Sequence, residues 1–288
     1  NKLKKGGMAY EKDGAIWLNT DSSGDDKHRV LIREDGRATY FASDVAYHMD
    51  KLDRTKGPLI NIFGADHSGY VKRMKAAVAA LSGQKDMLDI RLCQLVNLME
   101  NGKPVKMSKR AGTFVTVRDV IDAVGADVIR FIMLTRRSDQ TLDFDYAKVT
   151  EQSRDNPVFY VQYAHARACS VLRQPGINGE DVTGAGDAAL DRLTSPAEMA
   201  VIKALASWPR LVVSAAQSHE PHRVAFYLMD LAASFHALWT AGREAPELRF
   251  IRDDDAGLTA ARLCLVKATA LVIRSGLGVL SIQAREEM

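Results

Sequence analysis

The chemistry-bearing residues concentrate first in one loop, Gly102-Lys103-Pro104-Val105-Lys106-Met107-Ser108-Lys109-Arg110-Ala111-Gly112-Thr113. Four cations fall within eight residues there, Lys103 through Arg110. Gly102 and Gly112 at its edges permit backbone conformations that other residues resist. Lys106 and Lys109, three apart with the Ser108 hydroxyl between them, can surround a polyphosphate whose negative charge grows as a phosphoryl or nucleotidyl bond breaks. Such a loop suits ATP chemistry, and a solvated basic loop is the plain alternative. A second set, Gly64, Asp66 and His67, follows an apolar run that reads as a strand, at the carboxyl end where open α/β sheets bind ligands. A glycine there lets a nucleotide approach the backbone, an Asp accepts hydrogen bonds from ribose hydroxyls, and a His stacks or donates. Asp66 or Ser68 could equally cap a helix. Tyr40 and Asp44, four apart, share one face if their segment is helical.

The elements that must position these groups alternate in the first half. Leu59 to Phe63 reads as a strand, Tyr70 to Leu81 as a helix closed by Gly83, and Ile90 to Leu98 as a strand with period two. That order predicts an α/β unit with a parallel sheet. From Thr116 the period turns helical through Val117, Val120, Ile121 and Val124, before Gly125. The second half reads as helices throughout. Val224, Leu228, Leu231, Phe235 and Leu238 form one apolar stripe, and Leu258, Ala261, Leu265, Ala268 and Val272 form another. The architecture predicted is α/β plus all-α, an α/β domain over residues 1–150 and a helical bundle over 151–288.

Charge supports that boundary. Residues 1–150 carry a net +5 and 151–288 a net −2, with 14 of the 16 lysines in the first part. With 288 residues, 47% hydrophobic and 26% charged, the chain can bury a sizeable core, which excludes disordered and fibrous classes. No window approaches eighteen consecutive apolar residues, so neither a membrane span nor a signal peptide is expected. Cys93, Cys169 and Cys264 lie far apart and are odd in number, which points to a reducing, cytoplasmic compartment. There is no Gly-x-x-x-x-Gly-Lys, Gly-x-Gly-x-x-Gly, Gly-x-Ser-x-Gly or Cys-x-x-Cys pattern. His219 and His222 stand alone, so no protein-bound metal is expected.

Lys106-Met107-Ser108-Lys109 resembles the signature loop of class I aminoacyl-tRNA synthetases, and its surroundings resemble the arginyl family in particular. The resemblance covers essentially the whole chain. It runs through Asp35 to Tyr40, Asp44 to His48, Gly64 to Tyr70, Gln94 to Leu98, Phe114 to Thr116, Gly125 to Phe131, Leu142 to Asp145 and Asp155 to Arg167, and ends in Glu220 to Arg223 and Met288.

What the resemblance implies is specific. The fold would be the latter part of a Rossmann-like catalytic domain followed by a helical, DALR-type anticodon-binding domain. Lys106, Ser108 and Lys109 would be catalytic. Gly64, Asp66, His67, Val105 and Met107 would contact ATP, which enters with Mg²⁺, and Tyr40 and Asp44 would hold arginine. Arg130, Arg136 and Arg137 would lean on the inner bend of the tRNA. Tyr160, Gln162, His165, Arg167 and Met288 would contact anticodon bases, which are read by stacking and edge hydrogen bonds more than by a large positive field. The partners would be tRNA(Arg), L-arginine and ATP, and the protein a monomer with no membrane contact. One departure stands out: none of the seven histidines sits in the His-x-Gly-His element that class I enzymes place early in the chain. The resemblance therefore implies a C-terminal portion, inactive alone. A non-catalytic tRNA-binding module and another class I type, such as the cysteinyl, remain alternatives at this point.

Overall fold

The computed structural model describes residues 2–20, 27–105, 115–145, 149, 156–177 and 189–288, and every structural statement below concerns these. They fall into two units, Asn1–Leu95 with Ser138–Thr141, and Val96–Arg137 with Leu142–Met288. The boundary near residue 150 expected from charge lies inside the second unit. Phe131, which precedes it, is fully buried in the same apolar cluster as Val158, Val161 and Leu228.

In the first unit a short helix, α1 (Lys2–Lys5), leads into an antiparallel sheet of β1 (Ala9–Lys12), β2 (Ala15–Leu18) and β3 (Arg29–Ile32). Asp13 and Gly14, both at positive φ, make the tight turn between β1 and β2 that such residues favour. Helix α2 (Tyr40–Thr55) then begins at an N-cap, Thr39, whose side chain accepts the Ala42 N–H. The strand, helix, strand unit expected downstream is present: β4 (Leu59–Gly64), α3 (Val71–Ser82) and β5 (Leu88–Cys93), with β4 and β5 parallel from Leu59↔Leu88 to Gly64↔Cys93. Met74, Ala77 and Val78 of α3 and Leu59, Leu88 and Ile90 of the strands share one core with Phe41 and Val45 of α2.

The single strand expected over Ile90 to Leu98 is two strands in two sheets. β5 ends at Cys93, and β6 (Val96–Glu100) belongs to the second unit, pairing antiparallel with β7 (Lys103–Pro104) and parallel with β8 (Leu142–Asp145). Gln94 through Asn97 are all exposed at the join, Leu95 at 72%, although the sequence pattern itself gives no stop there. Between β7 and β8 lie α4 (Val117–Val124), closed at its start by a Thr116–Asp119 capping box, and α5 (Ala126–Met133).

Four long helices complete the second unit: α6 (Pro157–Leu172), α7 (Pro196–Ser218), α8 (His222–Glu244) and α9 (Ala256–Val279). All five residues of the first expected stripe, Val224 to Leu238, are buried on α8. On α9 the buried line runs through Leu265, Thr269, Ile273 and Leu277, leaving Ala268 and Val272 half-buried. The helices α7, α8 and α9 are each long and apolar enough to cross a membrane by length and composition. α8 and α9 pack closely enough that a Cβ on Gly276 would stand 2.6 Å from Leu228 Cδ2. One buried ion pair crosses the bundle. Arg262 Nε donates to Glu198 Oε1 at 2.7 Å, its Nη1 donates to the Glu247 and Arg249 carbonyls, and the other Glu198 oxygen accepts the Ser195 N–H in a capping box.

Candidate functional site

A cleft of about 950 Å³ opens in the first unit. Tyr40, Asp44, His67, Tyr70 and Arg73 are among its lining residues, so the structure brings Tyr40 and Asp44 together with His67, one of the five residues expected at the nucleotide. The Thr39 cap fixes the start of α2, because its hydroxyl also lies 2.9 Å from the Val30 carbonyl and ties the helix to β3. Tyr40 is 93% exposed, an aromatic face held in water at the rim. Asp44 accepts the Tyr70 O–H through Oδ2 at 2.5 Å. Burial, with Asp44 beside it, pushes the Tyr70 phenol well above its ordinary value, so it stays protonated as the donor.

A buried relay holds the floor of this cleft. His48 Nδ1 donates to the Asp44 carbonyl at 2.7 Å, and Nε2 accepts from Asn61 Nδ2 at 2.7 Å. Lys51 Nζ donates to Asn61 Oδ1 at 3.2 Å. Burial of His48 lowers its pKa, which keeps the ring neutral and Nε2 an acceptor. His67 is exposed on the turn Ala65–Tyr70, 5.9 Å from the Phe63 ring, with Asp66 Oδ2 3.6 Å from its Nε2. Gly64 and Asp66 sit just before it. A Cβ on residue 64 would stand 2.5 Å from Asp66 Oδ1, the movable end of an exposed side chain. Neither Asp66 nor Ser68 caps a helix: α3 starts at Val71, with Tyr70 before it.

In the second unit the root of the lysine loop is described, and its tip is not. Val105 is half-buried and donates its N–H to the Leu98 carbonyl. Asn101 and Gly102, both at positive φ, donate their N–H groups to the buried Asp145 carboxylate at 3.2 and 2.8 Å. Lys106, Met107, Ser108 and Lys109 lie outside the described residues.

The residues expected at tRNA divide. Arg130, Arg136 and Arg137 are exposed, and Arg130 Nη1 lies 3.4 Å from the Ser281 carbonyl. Tyr160 is half-buried against His236, with ring centroids 4.5 Å apart. Gln162 and His165 are turned inward instead. Gln162 Nε2 donates to the Gln283 carbonyl at 2.8 Å, and His165 Nδ1 to the Arg285 carbonyl at 2.7 Å, so both pin the chain after α9. His165 is fully buried, and burial lowers its pKa. Arg167 lies over Tyr163 at 4.2 Å and Trp239 at 5.0 Å, and donates to the Tyr163 hydroxyl and His236 Nδ1. With Tyr163 and the half-exposed Met288 it lines two clefts of about 860 Å³ each. Flat cations and aromatic rings at cleft walls suit unstacked bases. Tyr70, Asp145 and Trp239 escape sequence reasoning as site residues. Their partners lie far away in sequence, and no spacing rule links Tyr70 to Asp44 or Asp145 to Gly102.

Known proteins decide the family. Residues 161–288 match the DALR anticodon binding domain. An arginine–tRNA ligase of Ruegeria pomeroyi is 58% identical over 267 residues, 92% of this chain and 46% of the relative. One of Azorhizobium caulinodans is 56% identical over 282 residues, 96% of this chain and 48% of the relative. The chain belongs to the arginyl-tRNA synthetase family. It spans about half the length of the curated relatives it matches and corresponds to their C-terminal part. A Campylobacter jejuni structure described as a candidate arginyl-tRNA synthetase superposes with a TM-score of 0.84 at 35% identity, over all of this chain and 60% of its own. The fold is thus the Rossmann-like, class I synthetase type with a helical anticodon-binding region, and the cysteinyl alternative falls away.

Proposed function

We propose that this chain supplies the arginine-binding, lysine-loop and anticodon-binding parts of an arginine–tRNA ligase. The reaction is two-step: the arginine carboxylate attacks the α-phosphorus of MgATP to give arginyl-adenylate and pyrophosphate, and the 3′-terminal ribose hydroxyl of tRNA(Arg) then takes the arginyl group. The observation that carries this reading is Asp44, a carboxylate held by a neutral donor in a cleft rimmed by the exposed Tyr40 ring. A planar guanidinium is met by such a carboxylate in the bidentate mode and shielded by such a ring. His67, with Gly64 and Asp66 before it, is positioned to take the adenosine. Val105 and Met107 flank the loop whose Lys106 and Lys109 stabilise charge on the departing pyrophosphate, with Ser108 between them.

In the second unit, Arg167, Tyr160 and Met288 offer stacking surfaces to anticodon bases, while Arg130, Arg136 and Arg137 meet the sugar–phosphate backbone. The functional boundary stays near residue 150, just ahead of the matched anticodon-binding residues. The reading takes the long apolar helices as a bundle in water, in a cytoplasmic monomer, because their apolar faces pack on one another.

Lys109→Ala in the full-length synthetase is expected to slow adenylate formation by orders of magnitude while arginine affinity stays put, since the charge it meets develops only in the transition state. An unchanged rate of arginine-dependent pyrophosphate exchange would remove the loop's role. These 288 residues contain no His-x-Gly-His, so expressed by themselves they should show no exchange even with tRNA present.

A further inference from the structure

The Tyr70 hydroxyl joins two parts of the cleft that are 26 residues apart in sequence, the first turns of α2 and the turn Ala65–Tyr70 that carries His67. The ring itself is held on three sides. Phe41 packs edge-on at 6.0 Å, Phe63 lies at 6.5 Å, and the Arg73 guanidinium sits over the ring at 5.3 Å. Arg73 Nε is buried without a hydrogen-bond partner among the described residues, so its planar group is committed to the stack rather than to Asp44. The carboxylate therefore receives a neutral donor. A cation in the same place would cancel its charge before any ligand arrived, whereas a phenol fixes its orientation and leaves the charge in place.

We propose that Tyr70 is a positioning residue for guanidinium recognition: its O–H locks Asp44 Oδ2, so that Oδ1 and the remaining lone pair of Oδ2 present one fixed edge to a planar, doubly donating cation. The inference rests on the arginine reading of the cleft given above. A carboxylate that rotates must be ordered again by each ligand, and that ordering costs affinity without changing the chemistry that follows. Tyr70 acts through Asp44, so its effect belongs to ground-state arginine binding. The nucleotide, bound through other groups, is indifferent to it.

The test uses full-length synthetase carrying Tyr70→Phe, Asp44→Asn or both. Tyr70→Phe keeps the ring and its stack on Arg73 and removes only the donor. KM for arginine is expected to rise about tenfold, a change of about 1.4 kcal/mol, with kcat within about twofold, and KM for ATP and the melting temperature unchanged. The inhibition constant of propylguanidine, which shares only the guanidinium end, should rise by the same factor. Adding Tyr70→Phe to Asp44→Asn should cost nothing further. Equal rises in both KM values, a propylguanidine constant that does not move, full additivity in the double variant, or loss of the fold in Tyr70→Phe would each overturn the proposal. If Asp44→Asn itself leaves KM for arginine unchanged, the arginine reading of the cleft fails, and with it the basis for Tyr70.

Discussion

On α2, Tyr40 and Asp44 line a cleft, Tyr40 93% exposed, and Tyr70 brings a donor to Asp44. On α6, Gln162 and His165 are buried and act as the donors themselves, to carbonyls of the segment after α9. Polar side chains on the two helices thus face opposite ways, toward a cleft on α2 and into the protein on α6. The difference lies in what each helix is packed against. At α2, Thr39 is tied to the Val30 carbonyl and His48 to Asn61, and Tyr40 and Asp44 are left lining the cleft. The irregular segment beyond α9 has carbonyls that no ladder satisfies, and buried carbonyls need partners. Side chains on α6 supply them, while Tyr163, Arg167 and Trp239 line a cleft together with Met288.

Removing one partner of the buried pair should have the largest effect. Glu198→Ala leaves Arg262 charged and uncompensated, and should lower the stability of the second unit by about 3–5 kcal/mol, read by urea denaturation, with arginine KM untouched. A matching change at the arginine cleft would show that the two units do not divide the work as described. Next, Gln162→Ala should cost about 1–3 kcal/mol of stability, whereas Arg167→Ala should weaken tRNA binding by about tenfold, within the ~1–3 kcal/mol of one stacked base, and leave the melting temperature alone. The reverse outcome, a tRNA defect in the first and a stability defect in the second, would invert the inward and outward assignment.

The smallest effect is in pH. Burial depresses His48 in one unit and His165 in the other, so below the ordinary histidine value of about 6.5 the unfolded chain binds protons that the folded chain refuses. Both contributions are present above that value and are lost as pH falls toward the lower folded values, with a slope of at most about 1.4 kcal/mol per pH unit for each ring. Trp17 reports on the first unit and Trp208 and Trp239 on the second, so unfolding at pH 7.5 and 5.5 separates them. His165→Gln should flatten the second profile only.

Local chemistry was legible where the partner is local. The Thr116 and Gly83 helix ends follow from residue type, and so do the parallel strands around α3 and the stripe on α8. The Tyr40–Asp44 spacing puts both residues on one face of α2, and both line one cleft, whereas Lys106 and Lys109 lie outside the described residues. The direction of a polar side chain was not legible, because facing is decided by a carbonyl 120 residues away at His165 and by a phenol 26 residues away at Asp44. Nor was the break at Leu95, since period two continues across two strands that belong to different sheets.

The grip on the segment after α9 has a consequence for how freely its sequence can vary. Gln162, His165 and Arg173 hold it by the carbonyls of Gln283, Arg285 and Glu286, atoms that every amino acid possesses. Part of its path is therefore recorded in α6, beside what buried Ile282 and the Glu286–Arg274 pair contribute from its own sequence. Substitution at 283 or 285 can pass unnoticed while the route to Met288 is preserved, whereas a change at 162 or 165 redirects the whole segment.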